Sequence, residues 1–170
     1  HTIGVMETSK ELARIYKCDE KKVEIASFLH DCGKIPNKIN LLKMASDFDI
    51  MLNDVMINNI ELIHGPLGAK IAQNVYNIKD KEVLNAIYYH TTGRKNMTLL
   101  EKIIYIADYI EPNRNFQGVD RIRKLAYVNL NESILLAMNN TLIYIIDNDW
   151  LIHEDTVKAR NDLIIQKCLE

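Results

Sequence analysis

Along this chain the apolar residues recur at helical spacing rather than in alternation, and almost no β-branched run is bounded by hairpin turns. A chain patterned in this way buries its apolar surface by stacking helices, so the expected fold class is all-α. A first helix is expected from about Thr2 to Tyr16, with Ile3, Met6, Ala13 and Ile15 turned inward. Asp19 is placed to cap a second, whose Val23, Ala26 and Phe28 face the core and whose end carries His30 and Asp31 before Gly33 breaks it. Residues 34 to 63 scatter Asn and Asp among Ile, Leu and Met, and read as short helices and a loop. Pro66 suits the first turn of a helix reaching about Tyr76, with His64 just ahead of it. Asp80 caps another that ends near His90, with Gly93 as its stop. Thr98-Leu-Leu-Glu101 is a capping-box pattern for a helix that carries Asp108 near its end and is stopped by Pro112. Helices from about Val119 to Tyr127, Asn131 to Asp147 and Thr156 to Cys168 complete the set.

At 170 residues, and with no internal repeat, low-complexity tract or Pro/Gly-rich linker, residues 1–170 read as one domain. Hydrophobic residues at 48% and charged residues at 26% are ordinary for a globular chain and argue against disorder. A net charge of -2 speaks against nonspecific nucleic-acid binding, which needs a basic face. No signal peptide heads the sequence, and no apolar run approaches the roughly 20 residues that cross a bilayer. Cys18, Cys32 and Cys168 are an odd count at scattered spacings, which suggests neither a disulfide framework nor a zinc-thiolate motif and fits a reducing cytoplasm.

The ordered set His1, His30-Asp31 and Asp108 offers two imidazoles and two carboxylates, a donor set that suits iron, zinc or manganese and leaves the ion Lewis-acidic. Adjacent His and Asp on one helix project about 100° apart, so an ion that both reach lies off the helix end, in a cleft with other helices. His64 and His90 have two readings, as further ligands of a binuclear site bridged by Asp31 or as groups that contact phosphate and supply protons. Lys34 as a point charge and Arg114 as a planar fork can neutralise a polyphosphate. Cys32 lies inside the same motif but lacks an independent base, which leaves activated water as the simpler nucleophile.

The segment HDCGK at 30 to 34 resembles the HD-domain superfamily of metal-dependent phosphohydrolases. HTIGV, ASFLHDCGK, IHGPLGA, AIYYHTTG, KIIYIADYIEPNR and LIHEDTVKARN, in that order and over nearly the whole chain, resemble the symmetrical bis(5'-nucleosyl)-tetraphosphatases. The resemblance implies an HD-domain helical bundle and one ion held by His1, His30, Asp31 and Asp108, with iron favoured over manganese or zinc. It implies catalytic roles for Asp31, His64 and His90, and substrate contacts from His1, Asp31, Lys34, His64, His90, Thr91, Asp108, Arg114, Thr156 and Arg160. His153 lies with Thr156 and Arg160 in a segment that resembles a nucleotide-contacting tail of that family. The implied substrate is diadenosine tetraphosphate and the product ADP, or a GDP-like nucleotide. Two alternatives stay open: an HD phosphohydrolase of other nucleotides or alarmones, and a nucleotide-binding sensor without turnover. A homodimer is left open, and the absence of a Gly-Tyr-Pro segment disfavours a cyclic-dinucleotide phosphodiesterase of the HD-GYP kind.

Overall fold

The computed structural model describes residues 1–169, and among them it contains ten α-helices, one short 3-10 helix and no strand. The helices are α1 Thr2–Tyr16, α2 Glu20–Leu29, α3 Lys38–Asp47, α4 Asp54–Asn58, α5 His64–Asn74, α6 Lys81–Tyr89, α7 Leu99–Ile110, α8 Val119–Ala126, α9 Leu130–Asp147 and α10 Glu154–Leu169. The 3-10 helix spans Ile60–Ile63 and runs into α5, so His64 is the first residue of that helix rather than the residue ahead of it. No helix among the described residues is long and apolar enough to cross a membrane.

Local chemistry sets most of the helix starts. The Asp19 carboxylate accepts from the backbone N–H groups of Lys21 and Lys22, and Asp80 does the same for Glu82 and Val83. The capping box at Thr98 is complete: the hydroxyl accepts from the Glu101 N–H at 3.3 Å, and the Glu101 carboxylate accepts from the Thr98 N–H at 2.9 Å. That carboxylate is buried and also binds the Arg94 guanidinium through both oxygens.

Helix α7 is the axis of the bundle. Leu100, Ile103, Ile104, Tyr105, Ile106, Ala107 and Ile110 are buried around much of its circumference, which requires neighbours on several sides. Helices α1, α2, α6, α8 and α9 supply them. Three expectations of burial fail on the flanks of this core. Ile3 and Ile15 are 68% and 46% exposed, because α1 turns the stripe Val5, Thr8, Ser9, Leu12 and Ala13 inward, where small side chains let it approach its neighbours closely. Phe28 is 64% exposed. It sits five residues from buried Val23, about 140° around the helix, while Ala26 and Leu29 hold the inward face.

Residues 35 to 63 form a satellite around a second, smaller core of Leu41, Ala45, Met56 and Ile63, closed by Leu67 and Ile71 of α5. The satellite is tied to the far end of the chain by Asn53, whose side-chain amide lies 3.0 Å from His153 Nε2.

Candidate metal centre

His1 precedes α1, His30 and Asp31 follow the end of α2, His64 opens α5, His90 follows α6 and Asp108 lies in the last turn of α7. These six side chains converge at one place because the helix ends that carry them meet there. Glycine makes two of the approaches feasible. A Cβ on Gly33 would lie 2.2 Å from the backbone oxygen of His64, and one on Gly65 would lie 2.5 Å from the backbone oxygen of Tyr88. Any side chain at either position would force apart the backbones that carry His30, His64 and His90.

The histidines are oriented by their second ring nitrogens. His30 Nδ1 donates to the Ser27 carbonyl at 2.6 Å, His90 Nδ1 to the Ile87 carbonyl at 2.7 Å and His64 Nδ1 to the Glu61 carbonyl, each three residues back. His1 Nδ1 donates to the Glu111 carboxylate at 3.3 Å. With Nδ1–H engaged, a ring in its neutral form presents the lone pair of Nε2 to the centre, the arrangement that suits an imidazole ligand.

Asp31 stands between two sets of these lone pairs. Its Oδ2 lies 3.3 Å from His1 Nε2 and 3.4 Å from His30 Nε2, while Oδ1 lies 3.4 Å from His64 Nε2 and 3.6 Å from His90 Nε2. Asp108 Oδ1 lies 3.1 Å from His1 Nε2. Within the sets the imidazoles are equally close, at 3.2 Å for His1 and His30 and 2.9 Å for His64 and His90. Lone pairs and carboxylate oxygens directed at one another repel unless a positive charge lies among them. Asp31 Oδ1 is moreover buried without a hydrogen-bond partner among the described residues. The donor set therefore fits a divalent cation. Two groups of donors, His1–His30–Asp108 and Asp31–His64–His90, each fall within 4.8 Å, and the Oδ2 of Asp31 in the second also faces His1 and His30 of the first.

The electrostatics agree with ionised carboxylates and a neutral buried imidazole. Burial would raise the Asp31 and Asp108 carboxyls, but the surrounding imidazoles outweigh it and hold both well below the usual carboxylate range. Burial pushes His90 below its ordinary value, against partial opposition from Asp31. The Asp108 carboxylate beside it raises His1, in spite of some burial.

Two cations bound the cluster. Lys34 Nζ donates to Asp31 Oδ2 at 2.7 Å, and Arg114 donates through Nη2 to Asp108 Oδ1 at 2.7 Å and through Nε to the Asp108 carbonyl at 2.9 Å. The Thr91 hydroxyl, next to His90, is buried without a hydrogen-bond partner among the described residues. Thr156 is buried at the start of α10, and Arg160 binds the Asn139 side chain at 2.7 Å. Neither has a hydrogen bond or ion pair to the cluster among the described residues. His153 is engaged with Asn53 instead. Cys32 donates to the Gly68 carbonyl, and burial pushes its thiol up to about 11, which makes it a poor nucleophile.

The residue that sequence reasoning passed over is Glu111. It is 2% exposed, accepts from His1 Nδ1, and has its other oxygen held at 2.9 Å by both the backbone and side-chain N–H groups of Asn113. Burial works against the charge, but the Asn113 and His1 bonds prevail and keep its pKa below the usual value. A Cβ on Gly4 would meet this carboxylate at 2.6 Å, so the start of α1 is shaped around it. The available signal was an acidic residue three positions after Asp108, one helical turn on and just before Pro112.

Comparison with known proteins places this geometry. The HD domain family model matches residues 1–113. The chain is 41% identical, over 98% of its length and 89% of the relative's, to a protein of Halalkalibacterium halodurans named bis(5'-nucleosyl)-tetraphosphatase, symmetrical. It is 42% identical to a Bacillus subtilis protein of the same name, over 96% of this chain and 88% of the other. A crystal structure from Clostridium acetobutylicum, described as a predicted HD superfamily hydrolase involved in NAD metabolism, superposes with a TM-score of 0.93 at 46% identity. It covers 98% of this chain and 88% of that one. By its matched residues and its helical frame alike, the chain belongs to the HD-domain family and groups with the symmetrical bis(5'-nucleosyl)-tetraphosphatases.

Proposed function

We propose that this protein hydrolyses diadenosine tetraphosphate symmetrically to two ADP. The observation that carries the reading is the placement of Asp31 amid four imidazoles, in a cluster whose two carboxylates, Asp31 and Asp108, are bound by Lys34 and Arg114 respectively. A cation-binding centre bounded by fixed positive charges suits a polyanion, and the relatives named above carry this activity in their names.

His1, His30, Asp31 and Asp108 would hold a divalent ion, iron in preference to manganese or zinc. Such an ion supplies Lewis-acid polarisation of a phosphoryl oxygen and lowers the pKa of a water toward neutrality. Glu111 keeps the His1 ring turned, as the Ser27 carbonyl does for His30. Lys34 and Arg114 offset phosphate charge, Arg114 with a fork that matches two oxygens at once. Thr91 is positioned to give its unpartnered hydroxyl to a phosphate oxygen. His64 and His90 bind the polyphosphate and are placed to protonate the departing oxygen. An imidazole whose Nδ1–H is engaged must be protonated at Nε2 before it can donate there, which burial opposes at His90. Of the pair, only His64 keeps side-chain exposure, 10% against 0% for His90. Thr156 and Arg160 serve the nucleoside from α10. Three free cysteines agree with a cytoplasmic setting.

A second reading is favoured by the two-sided position of Asp31: a second ion held by Asp31, His64 and His90. Metal analysis separates them at one or two ions per chain. The activity is tested by incubating iron-, manganese- and zinc-loaded protein with a panel of dinucleoside polyphosphates and mononucleotides in isotopically labelled water. ADP as the sole nucleotide from diadenosine tetraphosphate is expected, and equal AMP and ATP overturns the symmetrical assignment.

A further inference from the structure

A hollow opens beside each of the two cations. The one at Lys34 holds about 240 Å³. The one at Arg114 is a groove of about 760 Å³, formed by the end of α7, the turn before α8 and the face of α9. That volume is in the range of sites that bind small ligands.

The composition of the Arg114 groove is specific. Tyr109, the residue after Asp108, lines it with its ring edge-to-face against Phe116, at 5.1 Å between centroids. Helix α9 adds Asn140 and Thr141, whose polar groups also bear on the Tyr109 hydroxyl, and Tyr144. Phe116 and Tyr144 are 37% and 58% exposed, so each leaves ring surface uncovered by protein. Arg114 uses Nε and Nη2 on Asp108, and its Nη1 has no hydrogen-bond partner among the described residues. Aromatic faces for stacking, a polar rim, and a guanidinium shared with the candidate metal centre together describe a receptor for a nucleotide.

Symmetrical cleavage leaves a nucleoside diphosphate on each side of the broken bond. A site that selects that bond needs a position for each nucleoside, one on either side of the ligand cluster. We propose that the Arg114 groove is one of these positions, a nucleoside-diphosphate subsite in which Phe116 and Tyr144 stack on the base and Arg114 Nη1 takes the phosphates leading to Asp108. The identity of the ligand rests on the hydrolase reading above. The groove residues themselves are specificity determinants, apart from the cluster that holds the ion.

The test is calorimetric titration of the manganese-loaded full chain with ADP, a readout that does not depend on turnover. Two ADP sites are expected in the wild type. Phe116→Leu, which keeps bulk and removes the ring, and Tyr144→Ala, on a different element, should each weaken one site by roughly five- to a hundredfold and leave the other and the metal content unchanged. Phe116→Tyr keeps a ring and should retain both sites. In kinetics the same two losses should reduce the preference for diadenosine tetraphosphate over adenosine 5'-tetraphosphate. A single ADP site in the wild type, or two sites that ignore both substitutions, overturns the proposal. Failure of the hydrolase reading shows separately, as wild-type protein that leaves diadenosine tetraphosphate intact or cuts it to AMP and ATP.

Discussion

Glu111→Gln is the most informative single change at this site, because it keeps the size of a buried side chain and alters only its hydrogen-bonding character. In the native protein both carboxylate oxygens accept, one from His1 Nδ1 at 3.3 Å and the other from two Asn113 N–H groups at 2.9 Å. An amide has one acceptor oxygen. If that oxygen stays with Asn113, the NH2 group faces a His1 Nδ1–H, and the ring must either turn away or move its proton to Nε2. Both outcomes withdraw the Nε2 lone pair from Asp31 and Asp108. The lost charge-assisted bond is worth about 1.5 to 3 kcal/mol, or roughly ten- to a hundredfold in metal affinity, the range seen for groups that orient metal ligands. The assay is the metal dissociation constant by chelator competition, alongside kcat/KM at saturating metal. Because the folded pKa of Glu111 is depressed, its stabilising contribution is present above the ordinary carboxylate range and is lost as pH falls through the folded value. The melting-temperature gap between metal-free wild type and Glu111→Gln should therefore close as pH drops from 7 to below ~4. Wild-type metal affinity in a folded Glu111→Gln protein would refute the view that this carboxylate sets the His1 ligand.

Three further outcomes are expected. Gly65→Ala places a methyl 2.5 Å from the Tyr88 carbonyl, an overpacking strain of about 1 to 3 kcal/mol, so differential scanning calorimetry should show Tm lower by roughly 2 to 12 °C. Arg114→Ala should keep the metal and lose roughly ten- to a hundredfold in kcat/KM, with Arg114→Lys in between, and unchanged kinetics in both would make Arg114 a solvated surface charge. Thiol labelling at pH 7 followed by mass spectrometry should modify exposed Cys168 first and leave Cys32 unmodified, because burial raises its pKa to about 11. Rapid modification of Cys32 in the folded protein would contradict that burial.

What the amino-acid order determined by itself was everything that depends on near neighbours. The caps at Asp19, Asp80 and Thr98–Glu101 bind backbone groups two or three residues away, so their helices start where the side chains say they must. The ligand-type residues were legible for a related reason, since His-Asp at a helix end before Gly33 carries its chemistry in its order. Which face of a helix is buried was decided by packing. Ile3, Ile15 and Phe28 are as apolar as Val5 and Leu12, yet they face out because α1 and α2 approach their neighbours along small residues. Glu111 became part of the site only when a residue 110 positions away was folded onto it, a distance at which no sequence spacing specifies contact. The sharing of Asp31 between two pairs of imidazoles, and the groove at Arg114, likewise exist only where ends of separate helices meet. Tertiary structure decides these features because lone-pair direction and enclosed volume are properties of the assembled bundle, set by crossing backbones and by the glycines that let them cross so closely.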